Sequence, residues 1–187
     1  MKRAHLFFLF EQARQLIGHQ DYVVVGSLAI LGTQDEHELP TDMAMSVDID
    51  CYTLADPGRI FDAQGPLGEG SVFHQTHGYY LDAVSPCLPS LPDGWEGRMS
   101  RIEQDGLRIW FLDPDDTAIS KYARCQPNDL RWIRAGLQSG LISLPRVRAR
   151  MSSTLYLDKE EALRVKAQVE TDTVWFEGVK AARDRSQ

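Results

Sequence analysis

Disulfide chemistry, a membrane span and a basic surface are all missing from this sequence. Its 187 residues include only three cysteines, Cys51, Cys87 and Cys125, with no CxxC pair. They are expected to stay as reduced thiols in a cytoplasmic protein, forming neither a disulfide framework nor a zinc site. No apolar run approaches the roughly 20 residues that a membrane helix needs. The apolar stretch 6–10 follows Lys2 and Arg3, but Glu11 and Arg14 interrupt it. A secretory leader needs about 7–15 apolar residues and a small-residue cleavage site. Positive charge is also scarce, with a formal net charge of −7. A chain that grips long duplex nucleic acid carries a basic footprint. Any nucleic-acid contact here is therefore expected to be local, at an RNA end or a single nucleotide.

What remains is a globular pattern. Leu6, Phe7, Phe10, Ala13, Leu16 and Ile17 recur at helical spacing and predict an amphipathic helix ending near Gly18. Residues 22–25 are a short, β-branched run suited to a buried strand. Gly26 and Ser27 make a turn, and a second helix is expected to begin at 28–32. Residues 33–43 read as a loop, and 46–53 alternate as a strand with two distinct faces. The segment 55–77 is rich in Gly, Asp and Pro, with a helix near Ile60 and a loop through 65–71. A third strand falls within 78–86, a proline-punctuated loop over 87–98, and a fourth strand at 107–112. Asp113, Asp115 and Asp116 suit the start of a helix from Pro114 to about Arg124, because carboxylates there satisfy free amides and the dipole. Another helix covers 130–138, and the charged remainder is helix-prone, ending with 159–185. The expected fold is α/β (or α+β): a mixed sheet flanked by helices over 1–145, with a C-terminal helical extension over 146–187.

The chemistry is concentrated in two short stretches. Side chains two apart on a strand point the same way. Asp48 and Asp50 in "SVDIDCYTL" should therefore share a face, their carboxylates about 6–7 Å apart. Two such carboxylates in a partly apolar setting repel each other unless a cation sits between them. A hard divalent ion, Mg²⁺ (or Mn²⁺), coordinated by oxygens and completed by phosphates, suits them. Asp82, in "YYLDAV", is a candidate third carboxylate for two-metal phosphoryl or nucleotidyl transfer. Upstream, "VVVGSLAILG" sets Gly26 where a backbone must approach a phosphate closely, and Ser27 as a hydroxyl donor. The following helix would aim free N–H groups at the anion.

Together these stretches resemble the signature of the nucleotidyltransferase fold seen in DNA polymerase β-like enzymes. The segments "GEGSVFHQTHGYYLDAVSP", "LPDGWEGR" and "FLDPDDTAISKYARCQPNDLRWIRAGLQSGLI" are similar to a bacterial group, the DUF6036-type nucleotidyltransferases, akin to abortive-infection toxin enzymes. The resemblance covers roughly residues 22–150. It implies metal-dependent transfer of a nucleoside monophosphate from NTP to an RNA or protein acceptor, with Gly26 and Ser27 on the β- and γ-phosphates. It also implies that Lys121 neutralises triphosphate charge and that Asp129 orients Lys121 or acts as a base. An antitoxin partner would fit the same resemblance. Two departures stand out. Ala44 occupies a position where an arginine is common, and Asn128 one where a lysine is common. Both favour the rival reading, an inactive binding, antitoxin or regulatory module of the same fold. A carboxylate-metal phosphohydrolase is a third option, though it would not need the Gly-Ser turn.

Other features have blander expectations. His74 and His77 are spaced as a helical metal pair but precede a strand and lack a third ligand. One is expected to be structural and the other to lie near the cleft. Tyr79, Tyr80, Trp95 and Trp110 are expected in the core, and "RVRAR" at 146–150 as a solvated face.

Overall fold

A computed structural model describes residues 1–185. Five strands form one mixed sheet in the order β3-β2-β1-β5-β4. They are β1 Asp21–Val24, β2 Asp48–Thr53, β3 Tyr80–Ala83, β4 Ser100–Gln104 and β5 Leu107–Phe111. β1 lies antiparallel to β2 and parallel to β5. β2 and β3 are parallel, and β4 closes an antiparallel hairpin on β5.

The first helix, α1 Arg3–Ile17, buries Leu6, Phe7, Leu9, Phe10, Ala13 and Ile17 and stops at Gly18, whose φ of 75° is the left-handed stop that glycine tolerates. This apolar face packs with the sheet and with α3 Phe61–Leu67 in one core. A second core joins α5 Pro114–Arg124, α6 Pro127–Ser139, α7 Leu144–Met151 and α8 Lys159–Asp184. Between the two cores runs a 3-10 helix, Ser27–Gly32. Its Leu28, Ala29 and Leu31 face the sheet core, and Ile30 faces the helical one.

Several local expectations are corrected. The segment after Ser27 is this six-residue 3-10 helix, too short to offer a useful dipole to an anion. It lies directly on the sheet: a Cβ at Gly32 would sit 2.3 Å from Phe111 and 2.5 Å from the Ser100 hydroxyl. The stretch 55–77 is more helical than its glycines suggest, carrying a 3-10 turn Pro57–Ile60, then α3 and α4 Val72–His77. One further turn of helix, α2 Thr41–Ala44, buries Met43. The described residues hold five strands, where the sequence leads one to expect four. The fifth is the edge strand β4, joined to β5 through Asp105 and Gly106, both at positive φ, as a two-residue hairpin demands.

The basic run at 146–150 is exposed at Arg146, Arg148 and Ala149, as a solvated face would be, but it is also tied to α5. Arg146 pairs with Asp115, Arg150 reaches Asp113 (2.5 Å) and Asp116 (2.8 Å), and Val147 is buried. α7 is thereby clamped to the start of α5, where Asp113 also caps the helix by accepting from the Asp115 amide at 2.9 Å. No helix among the described residues is long and apolar enough to cross a membrane.

Candidate active site

Because β2 runs antiparallel to β1, its first residues lie beside the turn that ends β1. The Val25 amide donates to the Asp50 carbonyl at 2.9 Å. Ile49 is fully buried between Asp48 and Asp50, which are only partly covered. Asp82 is the register partner of Asp50 across the parallel β2–β3 pair. One carboxylate oxygen from each of Asp48, Asp50 and Asp82 lies within 4.8 Å of the others, closer than strand spacing alone suggests. Burial pushes the Asp50 carboxyl up to about 7, helped by the charges of Asp48 and Asp82 and opposed by Arg124 and Lys121. Asp82 is also raised, by burial and then by Asp48, while a hydrogen bond from Gln64 pulls it back. Asp48 accepts from the Ser46 hydroxyl.

Gly26 is pressed against this group. A Cβ there would stand 2.0 Å from Asp50 Oδ2, and the φ of 66° is itself strained for any other residue. Next to it, the Ser27 hydroxyl is held by Lys121 Nζ at 2.9 Å. The same ammonium contacts Asp129 Oδ1 at 3.0 Å and lies 5.1 Å from the centre of the Trp132 ring. Trp132 Nε1 donates to the Ser27 carbonyl at 3.1 Å, so α6 fixes the turn from behind. Burial pulls the Lys121 ammonium down, and Asp129 partly restores it.

Asp129 is fully buried. It also accepts from Arg124 Nε (2.8 Å) and Nη2 (2.6 Å) and from the Gln126 amide (3.1 Å). Burial alone would raise its carboxyl, but Arg124 and Lys121 together outweigh that and hold it below the usual range.

Two cavities flank the carboxylates. One of about 250 Å³ is lined by Gly26, Asp50, Thr117, Lys121, Arg124 and Glu161, among others. The other, about 280 Å³, has Ser27, Asp48, Asn128, Arg131 and Trp132 in its wall. A cationic side stands opposite an anionic one, with a hollow on each flank. Such a layout suits a reaction that joins two substrates at a charged centre.

A family model described as "Nucleotidyltransferase of unknown function (DUF6036)" matches residues 4–183. The chain belongs to this family. No significantly similar protein was found among curated proteins or among solved structures. Within a nucleotidyltransferase frame, the residues that the sequence pattern did not single out become informative. Thr117, Lys121 and Arg124 stand at i, i+4 and i+7 of α5, one helical face. Counting that face from Lys121 would have found Arg124. Arg124 and Arg131 bring positive charge to the two cavities, Arg131 beside Asn128. Glu161 and Ser90 come from remote segments and left no local signal.

The two histidines differ in place, and only His74 comes near the carboxylates, through Tyr80. His74 and His77 sit on α4, and neither lines a cavity beside the carboxylates. His77 packs against Phe8 and Phe73, and His74 against Tyr80. Tyr79 is buried in the sheet core, where Trp95 and Trp110 also pack, while Tyr80 is half-buried beside the carboxylates.

Proposed function

We propose that this chain moves a nucleoside monophosphate from NTP to a hydroxyl of an RNA or protein acceptor, releasing pyrophosphate. The observation that carries the reading is the convergence of Asp48, Asp50 and Asp82 within 4.8 Å beside a turn that brings Ser27 and Lys121 together at 2.9 Å. The donor set fits a hard divalent ion. It consists of oxygens only, and Asp50 is driven towards neutrality first by burial and then by the charges of Asp48 and Asp82. Asp48, Asp50 and Asp82 would hold Mg²⁺ (or Mn²⁺), which when bound neutralises charge on the phosphates and the attacking oxygen. Ser27, Lys121 and Arg124 bind the triphosphate, and Gly26 leaves room for it. Asp82 accepts the proton of the acceptor hydroxyl. Asp129 acts by orienting Lys121 and Arg124. Its buried carboxylate, saturated with donors, is a poor base.

The resemblance to abortive-infection toxin enzymes extends this to toxin-like modification of an RNA or protein beside an antitoxin partner. A second reading, an inactive binding or antitoxin module of the same fold, draws on Ala44 and Asn128. Incubating the protein with each labelled NTP, Mg²⁺ and total RNA separates them. Label transfer that disappears in Asp48→Asn supports the enzyme. NTP binding without transfer to RNA or to added protein supports the module.

A further inference from the structure

The cavity on the Asp50 side has polar groups that the transfer chemistry does not use. Glu161, on the first turn of α8, lines it and is only 9% exposed. Its Oε2 accepts from the Ser90 hydroxyl and the Leu157 amide, each at 2.8 Å. Its Oε1 accepts no hydrogen bond among the described residues. Thr117 faces the same cavity from α5. It is 1% exposed, and its hydroxyl has no partner. The intervening walls are apolar, with Val84, Pro89 and Ala123 among them. Asp50, Ser120, Lys121 and Arg124 also line the cavity, and a fixed carboxylate and an orphaned hydroxyl set among its apolar residues are costly unless a ligand satisfies them.

We infer that this cavity takes the nucleobase of the NTP and that Glu161 selects a base presenting adjacent N–H donors, guanine above all. The inference rests on the transferase reading above, which places the triphosphate at Ser27 and Lys121. Oε1 has two lone-pair sites to offer. Guanine sets N1–H and the N2 amine side by side and satisfies both. Adenine and cytosine each place one amine beside a ring acceptor. Uracil offers a single N–H between two carbonyl oxygens, whose lone pairs the carboxylate repels. The Thr117 hydroxyl supplies a donor for a base acceptor such as O6. Ser90 is a positioning residue, since it holds the far oxygen of Glu161.

The test is calorimetric titration of the full chain, with Mg²⁺, using GTP, ITP, ATP and UTP analogues bearing a methylene between the α- and β-phosphates. A hydrogen bond to a charged group is worth roughly ten- to a hundred-fold in affinity. GTP is expected to bind at least ten-fold tighter than UTP, and ITP, lacking the N2 amine, about ten-fold weaker than GTP. In Glu161→Gln the amide carbonyl can still accept from Ser90 and Leu157, while its N–H₂ faces the base. The GTP:UTP ratio should then fall by about ten-fold or more, chiefly through lost GTP affinity. Ser90→Ala should move the ratio in the same direction by less.

Wild-type affinities for GTP, ITP and UTP within about two-fold of one another overturn the inference without any variant. Equal weakening of every nucleotide by Glu161→Gln also overturns it, because the carboxylate would then read the ribose or merely hold its loop. If the wild type binds no nucleotide at all, the transferase reading falls and takes this one with it.

Discussion

Two groups of three aspartates divide the work of this molecule. Asp113, Asp115 and Asp116 open α5, and three arginines answer them: Arg98 on Asp116, Arg146 on Asp115, and Arg150 on both Asp113 and Asp116. Among the described residues no arginine or lysine bonds Asp48, Asp50 or Asp82; Lys121 and Arg124 bond Asp129 and act on Asp50 only through their charge. Burial raises Asp116 as it raises Asp50, but the strongest neighbours differ in sign. Arg98 and Arg150 pull Asp116 back, whereas Asp48 and Asp82 push Asp50 further, to about 7. Aspartates thus end as a buried, arginine-paired clasp in one place and as a partly covered group of like charges in the other.

Asparagine at position 50 should break the comparison most sharply. Asp50→Asn is expected to cut transfer by about a thousand-fold or more. The melting temperature of the metal-free protein should stay level or rise, because the substitution removes repulsion. Label-transfer assays and thermal melts read both. A lower melting temperature with transfer intact would make the sheet triad structural. The clasp should behave in the opposite way. Asp116→Ala strands two partly buried guanidiniums, and losing one partner of a buried pair costs about 3–5 kcal/mol. Arg150 keeps Asp113, so the lower end is expected, measured by chemical denaturation.

Much of this contrast is legible in the sequence, and the limits are physical. The i, i+2 spacing of Asp48 and Asp50 and the Gly-Ser turn are local patterns, as are the boundaries of α5, where a proline and a capping aspartate mark the start. β4 is faint in the sequence because "SRIEQ" has one apolar residue and lies at a sheet edge, and its one local signal is the Asp105-Gly106 hairpin turn. The clasp escaped because Asp115 and Arg146 meet only after three helices have packed. On sequence alone, "DPDD" reads as a helix start and "RVRAR" as a solvated face, with nothing to join them. Arg124, Thr117 and Glu161 come to line one cavity through the same tertiary convergence.

Lys121 gives a smaller effect that sharpens the comparison. Asp129 keeps Arg124 and the Gln126 amide when Lys121 is lost, so Lys121→Ala should fold. NTP affinity is expected to drop by roughly ten- to a hundred-fold, the worth of a charge-assisted phosphate contact. Calorimetric titration of wild type and variant measures it. Equal affinities would remove Lys121 from the triphosphate.

The smallest expected effect is on pH. Asp50 holds its proton more tightly folded than unfolded. Its contribution to metal-free stability is therefore greatest at acid pH and fades as pH rises towards about 7. Metal binding must displace that proton, so Mg²⁺ affinity should be about ten-fold weaker at pH 6 than at pH 8. Flat affinity across that range would mean Asp50 is already ionised and balanced.

The most direct test of the central claim, that the sheet triad is a cation-dependent nucleotide site, is titration of a methylene-bridged GTP analogue into wild-type protein with Mg²⁺ and again with EDTA at pH 8. Saturable binding that needs Mg²⁺ is the predicted result. Equal affinity in EDTA would contradict it, because a triphosphate would then lie against three carboxylates with no cation between them.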